Sequence, residues 1–164
     1  MPSFTHMDDE GHVRMVDVTA KDASSRKAKA QAVIHMQPET FNKIQSHAVK
    51  KGNVLETARI AGIMAAKKTP ELIPMCHPLN ITHVQVDFFP DEPQHSIRIE
   101  ASAQIVGSTG VEMEALTAAA VAALTIYDMC KSYDREMAVS DLYLLEKSGG
   151  KSGTYDRKKP AKNS

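Results

Sequence analysis

Tryptophan is absent from this 164-residue chain, and other aromatic residues are few, with four Phe and four Tyr. A hydrophobic core must therefore consist of aliphatic side chains, alanine and methionine. Hydrophobic residues make up 42% of the sequence, which is enough for a core that needs neither disulfides nor a structural metal. The length fits one domain, because a single core usually serves about 100–200 residues.

Cysteine is also scarce, since Cys76 and Cys130 are the only two and are far apart in the sequence. This usage excludes a secreted disulfide scaffold and is typical of a reducing compartment. The first 15 residues lack the basic and then apolar pattern of a signal peptide. The longest apolar stretch, residues 115–126, includes two threonines and is too short for a membrane span. We therefore expect a cytoplasmic protein without a membrane partner.

Neither sign of charge is in excess, because 20 Lys and Arg balance 20 Asp and Glu. Bulk attraction to nucleic acids or anionic membranes is therefore not expected. Any anion site has to be a local concentration of basic side chains. Basic residues do occur in breaks and near the ends of predicted elements, although scattered, solvated lysines would give the same pattern: Lys21, Arg26, Lys50, Lys51, Lys67, Lys68 and Lys147.

The order of predicted strands and helices indicates the fold class. Period-two alternation predicts strands over residues 28–36, 81–89, 96–106 and 142–147. Helical spacing predicts helices from Pro38 to about residue 48, over residues 54–67 and over about residues 111–132. The order β–α(α)–β–β–α–β predicts an α+β fold of the ferredoxin-like split βαβ type, with helices packed on one face of an antiparallel sheet.

Prolines on both sides stiffen the segment PMCHP, residues 74–78, just before a predicted strand. Such a rigid loop can present the His77 imidazole or backbone amides to a ligand, but a loop histidine satisfied by backbone groups would look the same. A zinc site built from Cys76, His77, His83 and Cys130 would lack any recognised ligand spacing. We therefore expect no metal site here.

The long predicted helix carries candidate groups at both ends. At its start, Glu112 and Glu114 can accept hydrogen bonds from the N–H groups of a base, or merely complement the helix dipole. At its end, Asp128 and Lys131 lie three positions apart and therefore on one face. They can form an ordinary surface salt bridge or a general acid–base pair.

The segment KSGGKSG, residues 147–153, looks like a phosphate loop. It is not one, because Leu145 stands where a Walker A motif needs its first glycine and no helix is predicted after it. A flexible Gly/Ser/Lys segment can still close on a phosphate.

Several long motifs resemble those of the cyclic pyranopterin monophosphate synthase family of molybdenum cofactor biosynthesis. They are MVDVT (15–19), TARIAGI (57–63), IPMCHPL (73–79), TGVEMEALT (109–117), AALTIYDMCK (122–131) and LEKSGGKSG (145–153). The resemblance spans about residues 13–153, which we assign to a catalytic domain. We expect residues 1–12 and 154–164 to be flexible tails.

The resemblance implies a phosphorus–oxygen lyase. Its substrate is (8S)-3′,8-cyclo-7,8-dihydroguanosine 5′-triphosphate, supplied by a radical GTP cyclase, and its products are cyclic pyranopterin monophosphate and diphosphate. The resemblance implies that no cofactor is required, although Mg²⁺ can accompany the triphosphate. The implied assembly is a homohexamer built as a trimer of dimers, without a nucleic-acid partner.

The resemblance also implies roles for individual residues. Asp128, Lys51 and Lys131 match catalytic positions. The positions that match substrate contacts are Met75, Cys76, His77, Met113 and Glu114, and further pocket positions are Asp17, Lys21, Arg26, Lys67, Glu112 and Lys147.

Two other functions fit the predicted fold. An RNA-binding module would need stacking aromatics on its central strands, and only Phe88 and Phe89 qualify. A purely structural oligomerisation domain would leave the Asp128/Lys131 pair and the Cys76-His77 loop without a purpose.

The spacing along the long helix predicts how the site is built. Glu112 and Asp128 are sixteen positions apart, or about 24 Å along one helix axis. This distance is too long for one nucleotide to join both ends. Either two antiparallel copies of the helix share the site, or the helix breaks near Thr125 and folds its ends together.

Overall fold

A computed structural model describes residues 5–158. Within them the strands are β1 (Ser24–His35), β2 (Ile81–Asp91), β3 (Ser96–Gly107), β4 (Ala138–Ser148) and β5 (Tyr155–Asp156). The helices are α1 (Pro38–Gln45), α2 (Val54–Lys67), α3 (Thr69–Leu72) and α4 (Glu112–Cys130). The α+β class is confirmed.

One antiparallel sheet has the strand order β2-β3-β1-β4-β5. On its covered face, small residues of the two central strands lie opposite each other, as in the pairs Ala28–Ala103 and Ala30–Ala101. The residues of α4 that are buried against this layer are also mostly alanines: Ala115, Ala118, Ala119, Ala122 and Ala123. Because interaxial and helix–sheet distances depend on side-chain size, α4 can lie close to the sheet.

Helix α2 packs beside α4 on the same face of the sheet. Gly62 permits this close approach, because a Cβ there would lie 3.0 Å from the Ala118 carbonyl oxygen and 3.2 Å from a Val86 methyl carbon. Helix α4 is apolar and long enough to cross a membrane by composition alone, yet it packs against β1, β3 and α2. Helix α4 is therefore held in the centre of the fold, and the candidate site residues lie at its two ends.

The bounds of some elements differ from the prediction for local reasons. Helix α1 ends at Gln45, because His47 has a φ of 55° and the Ser46 hydroxyl donates to the Asn42 carbonyl. Strand β4 begins at Ala138, earlier than predicted, because register shifts and a φ of 52° at Asp141 interrupt its alternation.

Two short elements were not predicted. Helix α3 is a single turn at Thr69–Leu72, and β5 pairs with β4 inside the segment that we assigned to the C-terminal tail. The outer parts of both assigned tails, residues 1–4 and 159–164, lie outside the described residues.

Candidate active site

A cavity of about 260 Å³, which we denote the N-end pocket, opens beside the first turn of α4. One wall comes from the segment between α3 and β2, and another from the start of α4. The structure brings together six residues that the sequence singled out: Met75, Cys76, His77, Glu112, Met113 and Glu114. His6 lines the same cavity, although nothing in the sequence analysis pointed to it.

The His77 imidazole is oriented by the backbone. Its Nε2 lies 2.6 Å from the Val16 carbonyl oxygen. Because a carbonyl can only accept, Nε2 must carry the hydrogen, and Nδ1 is left for another partner. His77 is therefore hydrogen-bonded to the backbone and also lines the pocket. The two alternatives from the sequence, a histidine satisfied by the backbone and a histidine that faces a ligand, are thus compatible.

Glu114 is the buried acid of the N-end pocket, with only 2% of its surface exposed. Its pKa is raised to about 7, mainly by burial and also by the nearby Glu112 carboxylate, while a backbone hydrogen bond opposes the shift. Burial and the neighbouring Glu114 likewise raise the pKa of the Cys76 thiol. A carboxyl group with a pKa near 7 can accept or donate a proton at neutral pH, which suits acid–base work on a heterocyclic ring.

We expect Glu114→Gln to change how stability depends on pH. The folded-state pKa of about 7 exceeds the ordinary value of 4.5, so Glu114 favours folding below about pH 4.5 and loses that contribution as the pH rises through 7. Relative to the variant, the wild type should lose about 2–3 kcal/mol of unfolding free energy between about pH 5 and pH 8. Urea unfolding at both pH values measures this, and identical pH profiles for the two proteins would contradict it.

Four cations lie next to the N-end pocket and form what we denote the basic cluster: Lys21, Arg26, Lys147 and Lys151. Three of them, Lys21, Arg26 and Lys151, line a neighbouring cavity of about 460 Å³. The ammonium of Lys147 links this region to the pocket, because it lies 2.9 Å from a Glu112 carboxylate oxygen and 3.3 Å from the Ser152 hydroxyl. The basic cluster can therefore bind a polyanion with several positive charges while the N-end pocket, which is large enough for a ring, holds another part of the same ligand.

The turn after β4 keeps the basic cluster compact. Gly149 has a φ of 91°, and a side chain there would collide with the Ser25 carbonyl. The Arg26 guanidinium donates from Nε to the Gly107 carbonyl at 3.0 Å, which fixes it beside this turn. The Gly/Ser/Lys segment therefore folds against β1, next to Arg26, one of the pocket positions that the resemblance implies.

A second cluster, the C-end cluster, lies at the other end of α4 and consists of Lys51, Asp128 and Lys131. The Lys131 ammonium lies 2.7 Å from one Asp128 carboxylate oxygen, and that of Lys51 lies 4.0 Å from the other. Lys51 also donates to the Asp128 carbonyl at 2.9 Å. The hydrogen bond and charge of Lys131, with the charge of Lys51, lower the pKa of Asp128. Asp128 is thus an exposed carboxylate flanked by two cations.

Tyr133 supports the C-end cluster, although the sequence analysis did not single it out. Its hydroxyl accepts from the backbone N–H of Lys50 at 3.2 Å, and the Lys43 ammonium lies 4.9 Å from the centre of its ring. A tyrosine two residues after Lys131, in a chain poor in aromatics, is the signal that could have pointed to it.

The two ends of α4 stay apart within one chain. The helix is continuous from Glu112 to Cys130, and the Thr125 hydroxyl donates to the Val121 carbonyl inside it. A break near Thr125 is therefore excluded. At about 1.5 Å per residue, Glu112 and Asp128 are separated by about 24 Å.

Two of the remaining predicted residues lie outside both clusters. Asp17 lines a different cavity with Arg14, and two hydrogen bonds from Thr19 lower its pKa. Lys67 is exposed at the end of α2. Within residues 5–158, no group of three or more His, Cys, Asp or Glu side chains is arranged to hold a metal ion, so the four ligands considered for zinc do not converge.

Comparison with known proteins gives one consistent result. The model of the MoaC family matches residues 15–150. A cyclic pyranopterin monophosphate synthase of Desulforapulum autotrophicum is 64% identical over 155 residues, which cover 94% of this chain and 95% of the relative. Proteins of the same name from Desulfatibacillum aliphaticivorans and Syntrophomonas wolfei are 61% and 60% identical, covering 94% and 92% of this chain and 98% and 96% of the relatives.

Proposed function

The chain belongs to the MoaC family, and on this premise we propose that it acts as its relatives are named to act. The reaction converts (8S)-3′,8-cyclo-7,8-dihydroguanosine 5′-triphosphate to cyclic pyranopterin monophosphate and diphosphate, within molybdenum cofactor biosynthesis. The observation that carries this proposal is the identity of 60–64% over more than nine-tenths of the chain to three synthases of that name.

The N-end pocket suits the guanine-derived ring. Glu112 and Glu114 offer acceptors for ring N–H groups, and the buried Glu114 can exchange a proton at neutral pH because its pKa is about 7. The adjoining basic cluster suits the triphosphate, since several cations are needed to neutralise it. Lys147 is paired with Glu112, and an arriving phosphate can replace that carboxylate as its partner.

The C-end cluster suits the phosphoryl step. Closing the cyclic phosphate forms a bond between a substrate hydroxyl oxygen and the α-phosphorus, and breaks the bond from that phosphorus to the departing diphosphate. The hydroxyl proton needs a base, and Asp128 is a carboxylate at neutral pH. The ammonium groups of Lys51 and Lys131 neutralise charge that develops on the phosphate oxygens.

We propose that two copies of the chain complete each site. Six of the incompletely buried residues of α4 recur every three or four positions and form one stripe along the helix: Met113, Thr117, Ala120, Val121, Leu124 and Asp128. The midpoint between Met113 and Asp128 falls between Ala120 and Val121. A two-fold axis there would pair two antiparallel copies of α4 and set the N-end pocket of one copy beside the C-end cluster of the other.

Exposed apolar side chains support this dimer. Leu124 on α4 is 59% exposed, and Ile60 and Met64 on α2 are 58% and 52% exposed. Large apolar side chains grouped on one face of a folded protein mark an interaction surface. The family resemblance extends the dimer to a hexamer of three dimers.

The remaining proposals concern the setting of the reaction. We place it in the cytoplasm, with substrate handed over by the radical GTP cyclase, and with any Mg²⁺ carried by the triphosphate. RNA binding is not favoured. Phe88 packs against the core, and the Arg98 guanidinium lies 4.3 Å from the centre of the Phe89 ring, so neither ring is a free stacking surface on this face.

A direct assay tests the function. Purified protein is incubated with the cyclised nucleotide, and the pterin-type product and diphosphate are quantified. We expect one diphosphate for each substrate consumed, and product formation about 10²–10⁴-fold slower with the Asp128→Ala protein. Failure of folded wild-type protein to consume the substrate would overturn the proposal.

We expect substrate affinity to fall as salt is added, because a polyanion is held by several cations. Raising the ionic strength from about 0.05 to 0.5 M should weaken binding about tenfold or more. Lys131→Met should lower both affinity and kcat, whereas Lys68→Met, which removes an exposed lysine paired with Glu71, should change neither. Calorimetry measures the affinities, and salt-independent binding would contradict the role of the cations.

A further inference from the structure

Residues 6–14 form a small structure that we denote the N-terminal hairpin. Met7 and Val13 are bridged in antiparallel fashion, the Arg14 N–H donates to the His6 carbonyl at 2.8 Å, and the Asp8 N–H donates to the His12 carbonyl at 3.0 Å. The segment therefore has a defined conformation, although its sequence predicted a flexible tail.

The side chain of Asp8 holds the turn. One of its carboxylate oxygens accepts from the backbone N–H of Glu10 at 3.0 Å and from that of His12 at 2.8 Å. Gly11 supplies the φ of 85° that the turn requires. Because Asp8 does not line the N-end pocket, this turn can be weakened without touching the pocket directly.

The hairpin is attached to the wall of the N-end pocket. Directly after it in the chain, the Val16 carbonyl accepts the hydrogen bond from His77. On the other arm, His6 lines the pocket together with Cys76 and Met113. Every other lining residue comes from residues 73–79 or 109–114, so the hairpin adds a third, sequence-distant wall.

We propose that this hairpin is part of the substrate site and that His6 contacts the guanine-derived ring. The proposal rests on the proposed function of the pocket. Within residues 5–158, no side chain is hydrogen-bonded to the His6 ring nitrogens, so the imidazole is available to a ligand. It offers an aromatic plane for stacking and ring nitrogens for hydrogen bonding, opposite walls that carry carboxyl groups and a thiol.

Five variants test the proposal in the full-length protein. His6→Ala should raise KM for the cyclised nucleotide about tenfold, with a smaller effect on kcat. His6→Phe keeps an aromatic plane, and His6→Gln keeps atoms that can form hydrogen bonds. Wild-type affinity for the nucleotide in the Phe variant would indicate stacking, and in the Gln variant it would indicate hydrogen bonding. Asp8→Ala should also raise KM because the turn is lost, whereas Asp8→Asn, which keeps the accepting oxygen, should resemble the wild type.

Hydrogen exchange supplies a second readout. Saturation with GTP, as a guanine-bearing probe, should slow exchange of the His12 and Arg14 amides in the wild type, and much less in His6→Ala. All variants should keep the wild-type unfolding midpoint, because the hairpin lies outside the core.

The outcomes separate this proposal from the proposed function. Wild-type KM and exchange in both His6→Ala and Asp8→Ala would overturn it. A raised KM in His6→Ala but not in Asp8→Ala would support the contact between His6 and the ring. It would overturn the proposal that the hairpin conformation contributes to substrate binding. If the wild type bound GTP with a protected hairpin but never converted the cyclised nucleotide, the hairpin would stand and the proposed reaction would fail.

Discussion

Asp128→Ala is expected to lower kcat about 10²–10⁴-fold and to leave the fold intact. The carboxylate lies between Lys131 and Lys51, whose charges lower its pKa, so it is ionised at neutral pH and able to take a proton. It is exposed to solvent, so its removal leaves no cavity. Lys51→Ala should have an effect of similar size, because its ammonium is the second cation beside the Asp128 carboxylate.

Steady-state rates measured with folded protein test this expectation. Asp128→Asn keeps the shape of the side chain but removes its charge and its ability to accept a proton, so it should be nearly as inactive as the alanine variant. Glu71→Ala is the matched control, since Glu71 is an exposed acid three positions from Lys68, as Asp128 is from Lys131. A rate for Asp128→Ala within about threefold of the wild type would contradict a general-base role.

The helical period predicted about 24 Å between Glu112 and Asp128 for an unbroken helix, but it left a break near Thr125 open. Glu112 and Asp128 lie on one uninterrupted helix, as the apolar run between them indicated. The sequence could likewise place Asp128 and Lys131 on one face, because three residues make nearly one turn. Local patterns of this kind depend only on neighbours in the chain.

Features that depend on distant neighbours could not be predicted. Lys147 meets Glu112 because β4 runs beside β1 and its end comes near the start of α4, which no local pattern encodes. The N-terminal hairpin depends on the Asp8 side chain and not on alternation, so His6 was missed. The first residues of β4 were not predicted because the register shifts between β4 and β1 interrupt the alternation of the strand.

The second large effect expected concerns the sharing of the site. Glu114→Ala and Asp128→Ala should each be nearly inactive alone, because one damages the N-end pocket and the other the C-end cluster. Helix α4 keeps these two regions about 24 Å apart in one chain. If antiparallel copies of α4 join them, a dimer of one variant with the other has one site that carries both changes and one site that carries neither.

Mixing the two inactive proteins therefore tests the account most directly. Differently tagged subunits are exchanged at equal concentration, mixed dimers are confirmed by double affinity capture, and turnover is measured. Random pairing makes half of the dimers mixed, each with one intact site of two, so we predict about a quarter of wild-type activity. Activity that stays at the level of the separate variants, in confirmed mixed dimers, would contradict a site built from two copies of the chain.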